Sequence, residues 1–133
     1  GNGFVIRGCD FGHSRARGLL IKASDGLIES NRIERCAGAA ISIATEYEWM
    51  EGGCSRNLVV RGNTCRANGG GIQVGGNNGA RKPLPAESHY DISITGNEVD
   101  GEGIVLEGCT GGEVRRNGEA KVTIRNCAGV AQD

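Results

Sequence analysis

The densest group of chemically reactive side chains lies within residues 44–53. It contains Glu46, Glu48 and Glu51, together with the only tryptophan of the chain, Trp49. Hydrolysis of a glycosidic bond needs two carboxyl groups, one as general acid and the other as base or nucleophile. The segment therefore predicts sugar chemistry, in which two of these glutamates would serve as the acid and base. Trp49 would be the platform for a sugar ring, and Glu48 a further contact.

The same residue types also fit a structural interpretation. Trp49 and Met50 can fold back as a small core of their own loop, with the glutamates solvated around it. The sequence by itself leaves both interpretations open.

A second polar stretch, residues 75–89, offers Asn77, Arg81 and His89 as donors to sugar hydroxyls or to a uronate. Its glycines match neither the dinucleotide fingerprint nor the P-loop, and no helix follows to receive a phosphate. Nucleotide binding is therefore not expected. The Gly and Pro content also fits a surface loop that binds nothing.

A repeated sequence motif surrounds these two segments and is expected to form the scaffold that positions them. It consists of alternating apolar residues followed by a small or basic residue and then a corner residue. The corners are Cys9, Asn31, Asn63 and Asn97, with a weaker copy ending at Asn117. Repeats of strand size that cannot bury their own apolar faces stack on one another. The sequence therefore predicts an all-β protein, a parallel β-helix of about five or six coils in a single domain, 1–133.

Asn suits the corners because it tolerates the left-handed region and its amide can bond neighbouring backbone. Stacked in successive coils, these amides are expected to form a structural ladder. Alternation along the strands predicts two inward rows. They are Ile6, Ile28, Val60 and Ile94, and Phe11, Ile33, Cys65 and Val99.

The corner spacing predicts two insertions, residues 44–56 and 75–89. Each follows a strand at the same phase of its coil, so we expect both to rise from one edge of the solenoid. The matching connections of the neighbouring coils are short. The insertions would therefore form a wall beside an exposed strand face and create a groove, where binding groups concentrate.

Composition excludes several classes of protein. The net charge is −1 with mixed signs, so we expect no nucleic-acid partner and no membrane surface partner. The six cysteines lack the paired spacing of zinc sites, and we predict neither a metal nor a cofactor. Cys36 and Cys54 flank the first insertion and are a candidate disulfide pair, which sequence does not decide.

Two short motifs are more specific than the repeat. They are Arg15-Ala16-Arg17-Gly18 and Trp49-Met50-Glu51-Gly52-Gly53. With the apolar strands and Asn corners between them, they resemble the right-handed β-helix exo-α-1,3-galactosidases over roughly the first half of the chain. The resemblance implies a right-handed β-helix and an inverting, metal-independent hydrolase that removes terminal α-galactose.

In that family the groove surrounds the tryptophan loop. The resemblance thus implies a glycan or oligosaccharide as partner, with Arg15, Arg17, Trp49 and Glu51 as the best-matching positions. On this interpretation Glu46 and Glu51 are the candidate acid and base, and either Thr45 or Glu46 stands where the family carries an acidic residue a few positions before its tryptophan. Lys22 would join the arginines as a hydroxyl or leaving-group contact.

Two other functions remain open. A polysaccharide lyase would use Lys22 or Arg81 to abstract a proton beside a cation-neutralised uronate, although the sequence lacks an acidic calcium cluster. A non-catalytic β-helix segment would bind glycan or extend a larger protein.

The chain shows no signal peptide, no membrane-spanning run and no polar cap at either end. We therefore expect a piece of a longer β-helix, or ends covered by a partner, and uncapped coils that permit self-association. A secreted or cell-surface location, of bacterial type, is expected.

Overall fold

The computed structural model describes residues 3–46, 54–77 and 88–133, without the side chains of residues 45, 46 and 77. These residues form only strands and their connections. The strands are β1 (Val5–Arg7), β2 (Asp10–Gly12), β3 (Leu19–Ile21), β4 (Gly26–Glu29), β5 (Arg32–Glu34), β6 (Ala39–Glu46), β7 (Arg56–Arg61), β8 (Thr64–Arg66), β9 (Gly70–Asn77), β10 (His89–Thr95), β11 (Glu98–Val99), β12 (Ile104–Glu107), β13 (Cys109–Thr110), β14 (Glu113–Arg115), β15 (Val122–Arg125) and β16 (Ala131–Gln132).

The strands make three parallel sheets that the chain visits in turn. The first sheet has the order β1-β4-β7-β10-β14-β16, with β13 also beside β10. The second sheet is β2-β5-β8-β11, and the third is β3-β6-β9-β12-β15. Because each strand pairs with its counterpart one coil later, the chain winds as a solenoid. This confirms the predicted parallel β-helix.

The predicted inward rows are confirmed by strand register. In the first sheet Ile28 lies opposite both Ile6 and Val60, and Val60 lies opposite Ile94. In the second sheet the row runs from Phe11 through Ile33 and Cys65 to Val99. The third sheet adds a further row whose buried members are Ile41, Ile72 and Ile104. One continuous apolar core, formed by branched side chains that suit a pleated surface, therefore fills the solenoid.

The corner asparagines form the expected amide ladder. Asn31 Nδ2 donates to Asn63 Oδ1, Asn63 Nδ2 to Asn97 Oδ1, and Asn97 Nδ2 to Asn117 Oδ1, each at 3.0 Å. Cys9 ends the row, because its backbone N–H donates to Asn31 Oδ1. These bonds satisfy the polar groups of a buried corner, which is otherwise costly.

The left-handed conformation lies elsewhere than predicted. It belongs to the residue before each asparagine, such as Ser30, Gly62 and Gly96, with φ of 55°, 65° and 64°. The left-handed residue turns the backbone, and the asparagine that follows directs its amide inward to bond the next coil.

Coil length varies along the solenoid. The ladder bonds join residues 22, 32, 34 and 20 positions apart, from Cys9 to Asn117. The intervals of 32 and 34 contain the two predicted insertions, and those of 22 and 20 contain none. In the coil that contains Asn117 the chain passes from β14 to β15 without a strand in the second sheet.

The state of the cysteines and the lengths of the secondary-structure elements bear on two further predictions. Cys36 is a free, buried thiol, so the candidate Cys36–Cys54 disulfide is absent. No helix that is long and apolar enough to cross a membrane occurs in the described part of the chain.

Candidate functional site

The strands that lead into the two predicted insertions end side by side. β6 and β9 are each eight residues long and pair from Ala39–Gly70 to Glu46–Asn77. Each strand continues three residues beyond its last predicted apolar position, Ile43 or Val74. Regular pairing therefore includes residues 44–46 and 75–77, which the sequence assigned to the insertions.

A polar groove of about 340 Å³ lies on the outer face of the third sheet, beside these strand ends. Ile41 and Ile43 point into the core, so the residues that alternate with them, Ser42 and Ala44, face outward. Register continues this outward row to Gln73 and Val105 in the next two coils. The groove is lined by Arg17, Ser42, Ala44, Gln73, Val74, Gly75, Gly76, Glu102, Val105, Glu107 and Arg125.

Both signs of charge line this groove. Glu102 precedes β12 and Glu107 ends it, so the two carboxylates lie towards opposite ends of the groove. Arg17 comes from the turn before β3, and Arg125 ends β15 directly opposite Glu107. Gln73 lies between them, with Nε2 3.5 Å from Glu102 Oε2. Carboxylates, guanidinium groups and an amide together can accept from and donate to a polyhydroxylated ligand.

The structure brings one predicted site residue, Arg17, into the groove. Arg15 is exposed but does not line it, and Lys22 is half-buried just beyond β3. Glu46 and Asn77 are placed by their backbones alone, as directly opposed residues. Glu48, Trp49, Glu51 and Arg81 lie outside the described residues.

His89 differs from its predicted role as a sugar contact. Its side chain is fully buried at the start of β10, and both ring nitrogens bond backbone. Nδ1 accepts from the Ser55 N–H at 3.0 Å, so Nε2 carries the proton and donates to the Gly75 carbonyl at 2.9 Å. Burial lowers the pKa of His89, against the opposing effect of these hydrogen bonds. His89 is therefore not a sugar contact: its ring links the backbone of Ser55 to that of Gly75 beside the groove, and neither ring nitrogen is left to bond a ligand.

Five polar residues that line the groove are not among the predicted contacts: Ser42, Gln73, Glu102, Glu107 and Arg125. A signal for four of them was present in the sequence. Gln73 alternates with buried Ile72 and Val74, and Glu107 follows buried Leu106, so strand periodicity predicts that both face outward. Ser42 lies between buried Ile41 and Ile43, and Arg125 follows Ile124, which packs against the core, so the same alternation applies to both. Glu102 carries no such signal, because it precedes β12 and only the winding of the chain brings it to this face.

No group of three or more His, Cys, Asp or Glu side chains with metal-binding geometry is found within residues 3–46, 54–77 and 88–133.

Comparison with known proteins adds two findings. The profile of the family described as "Right handed beta helix region" matches residues 1–84. Over 62 residues the chain is 39% identical to alpha-1,3-galactosidase B of Bacteroides thetaiotaomicron, which covers 46% of this chain and 10% of the relative. The chain thus spans about a tenth of the length of this curated relative.

No solved structure matches the chain. The family assignment therefore rests on the profile, which covers more than half of the residues, and on the three parallel sheets. The chain belongs to the right-handed β-helix family.

Proposed function

We propose that this β-helix is part of a glycoside hydrolase of the α-galactosidase type, and that a terminal sugar of a glycan occupies the groove over the third sheet. The observation that carries the proposal is the position of the groove beside the paired ends of β6 and β9. The segments that follow these ends hold the tryptophan and glutamates suited to sugar chemistry. The partial similarity to alpha-1,3-galactosidase B supports the same function.

Register supports a reaction centre near the strand ends. A Cβ on Gly75 would lie 3.5 Å from Glu107 Cβ, so Glu107 is the neighbour of Gly75 in the next coil. Ala44 lies opposite Gly75 on the other side, and Glu46 follows two residues later. With strands about 4.8 Å apart and a rise of about 3.3 Å per residue, the Cα atoms of Glu46 and Glu107 lie about 12 Å apart.

Inverting glycosidases hold their two carboxyl groups about 6.5–9.5 Å apart, and a Cα separation of about 12 Å between two glutamates is compatible with that distance. In this proposal Glu46 and Glu51 remain the acid and base candidates, and Glu107 is a third carboxylate at the same centre. Trp49 stacks on the sugar, and Arg17 and Gln73 bond its hydroxyls. Arg15, Lys22, Glu48, Asn77 and Arg81 remain proposed outer contacts.

The test combines hydrolysis with binding. The chain is expected to bind an α-1,3-galactosyl oligosaccharide in calorimetry and to release galactose, detected by thin-layer chromatography. Glu46→Gln or Glu51→Gln should reduce hydrolysis at least about 100-fold, the usual contribution of a general acid or base. Arg17→Gln should weaken binding.

The matched control is Arg32→Gln, because Arg32 is also exposed but lies on the second sheet in an ion pair with Glu34. It should leave binding and hydrolysis unchanged. Full hydrolysis by both glutamate variants would remove these residues from the mechanism. Binding without product release would restrict the function to glycan recognition, and absence of both would contradict the proposal.

A further inference from the structure

Two cysteines lie directly opposite each other in successive coils. Glu107 pairs with Arg125, and Thr110 forms a parallel bridge with Ala128. Both intervals are three residues, so the register between them places Cys109 opposite Cys127. The Ala128 N–H donates to the Cys109 carbonyl at 2.9 Å, which fixes this alignment.

The spacing suits a covalent bond between the two side chains. Neighbouring parallel strands are about 4.8 Å apart, and disulfides span Cα separations of about 4.4–6.8 Å. Both thiols also point the same way along the chain. Cys109 Sγ donates to the Glu107 carbonyl at 3.8 Å, and Cys127 Sγ to the Arg125 carbonyl at 3.2 Å. The sulfurs therefore lie side by side.

The pair is chemically asymmetric. Cys109 is fully buried, and burial, followed by the neighbouring Cys127 thiol, raises the pKa of Cys109 to about 12. Cys127 is partly exposed. Since an oxidant from solvent reaches the accessible thiol first, Cys127 is the attacking group.

The other buried thiols lack this arrangement. Cys65 lies opposite Ile33 in the second sheet, and Cys36 lies three residues beyond Ile33. Neither is therefore in register with the other.

We propose that Cys109 and Cys127 are an oxidation site, at which a low-molecular-weight disulfide converts the two thiols into a bond between successive coils. The Cys127 thiolate attacks one sulfur of glutathione disulfide and releases one glutathione thiolate. The Cys109 thiolate then attacks the Cys127 sulfur of the mixed disulfide and releases the second. Two protein thiols are oxidised to one disulfide, and glutathione disulfide is reduced to two glutathione thiols, which take up the two protons that the protein thiols give up.

The bond would close a chain segment that includes β14 and β15. This is the coil without a strand in the second sheet, so it has fewer ladder hydrogen bonds than its neighbours. Closing a loop of this length constrains the unfolded chain and should raise the Tm by about 10 °C.

The experiment treats the reduced chain with glutathione disulfide. Intact mass should fall by two hydrogen atoms, and tryptic mapping should join the Cys109 and Cys127 peptides. Cys127→Ser should remove both the cross-link and the rise in Tm. Cys109→Ser should instead stop at a stable glutathione adduct on Cys127. Cys9→Ser is the matched control, because it removes an exposed thiol far from the pair and should leave the cross-link intact.

Three results would overturn the proposal: a stable glutathione adduct at Cys127 in the unmutated chain, no reaction at either thiol, or a disulfide between two chains on a non-reducing gel. If Cys109→Ser does not fold, the unmutated chain and Cys127→Ser still decide the outcome.

Discussion

At the scale of single residues, the corner asparagines are buried polar side chains that hydrogen-bond one coil to the next. The side chain of Asn63 takes part in four hydrogen bonds: its Nδ2 donates to Asn97 Oδ1 and the Ile28 carbonyl, and its Oδ1 accepts from the backbone and side chain of Asn31. Asn68, at the next corner, makes two side-chain hydrogen bonds: it donates to the Ile33 carbonyl and accepts from the Cys36 N–H. The number of partners differs while the residue type stays the same.

This pair provides a direct test of the ladder. Asn63→Ala leaves several buried groups without partners and should lower the free energy of unfolding by about 3 kcal/mol. Asn68→Ala should cost about half as much. Urea denaturation measures the loss of unfolding free energy in both variants. Equal losses would show that the additional bonds between stacked amides at Asn63 do not stabilise the protein.

At the scale of strands, the coils approach so closely that some positions exclude a side chain. A Cβ on Gly71, in β9, would overlap the Gly103 carbonyl oxygen and lie 2.6 Å from Val99 Cγ1. Gly101, in the turn before β12, has the left-handed φ of 63° but open space around it. The first glycine is required by packing and the second by conformation alone.

The two causes predict different costs. Gly71→Ala must push neighbouring coils apart and should destabilise the protein by about 3 kcal/mol. Gly101→Ala adds only left-handed strain and should cost about 1 kcal/mol. Thermal unfolding of both variants measures the difference. A similar Tm for the two would contradict the steric explanation.

At the scale of the whole molecule, His89 couples the first sheet to the groove edge and makes global stability sensitive to acid. Burial lowers the pKa of His89 in the folded protein. The unfolded chain then binds a proton more readily than the folded one. Stability is therefore fully present above the unfolded pKa and declines as pH falls below about 6.5.

The expected result is a fall in Tm between about pH 7.5 and pH 5 that is smaller in His89→Gln. His13→Gln is the control, since His13 is an exposed histidine in a turn. It should retain the pH dependence of the unmutated chain. The assignment fails if His89→Gln and the unmutated chain lose the same Tm on acidification, because carboxylates would then account for the whole effect.

The sequence by itself determined the scaffold. Corner spacing predicted the coils, and strand alternation predicted rows such as Ile28 and Val60, because a solenoid repeats one local pattern and register follows from it. Resemblance located Arg17, which lines the groove.

Only the tertiary structure decided which side chains share a space. It buried His89 against Ser55 and Gly75, brought Glu102 and Arg125 to the groove, and placed Cys109 opposite Cys127. These relations join coils separated by variable lengths of chain, so no local pattern encodes them. Stacking converts distance along the sequence into neighbours about 4.8 Å apart, and the lengths of the intervening connections decide which residues meet.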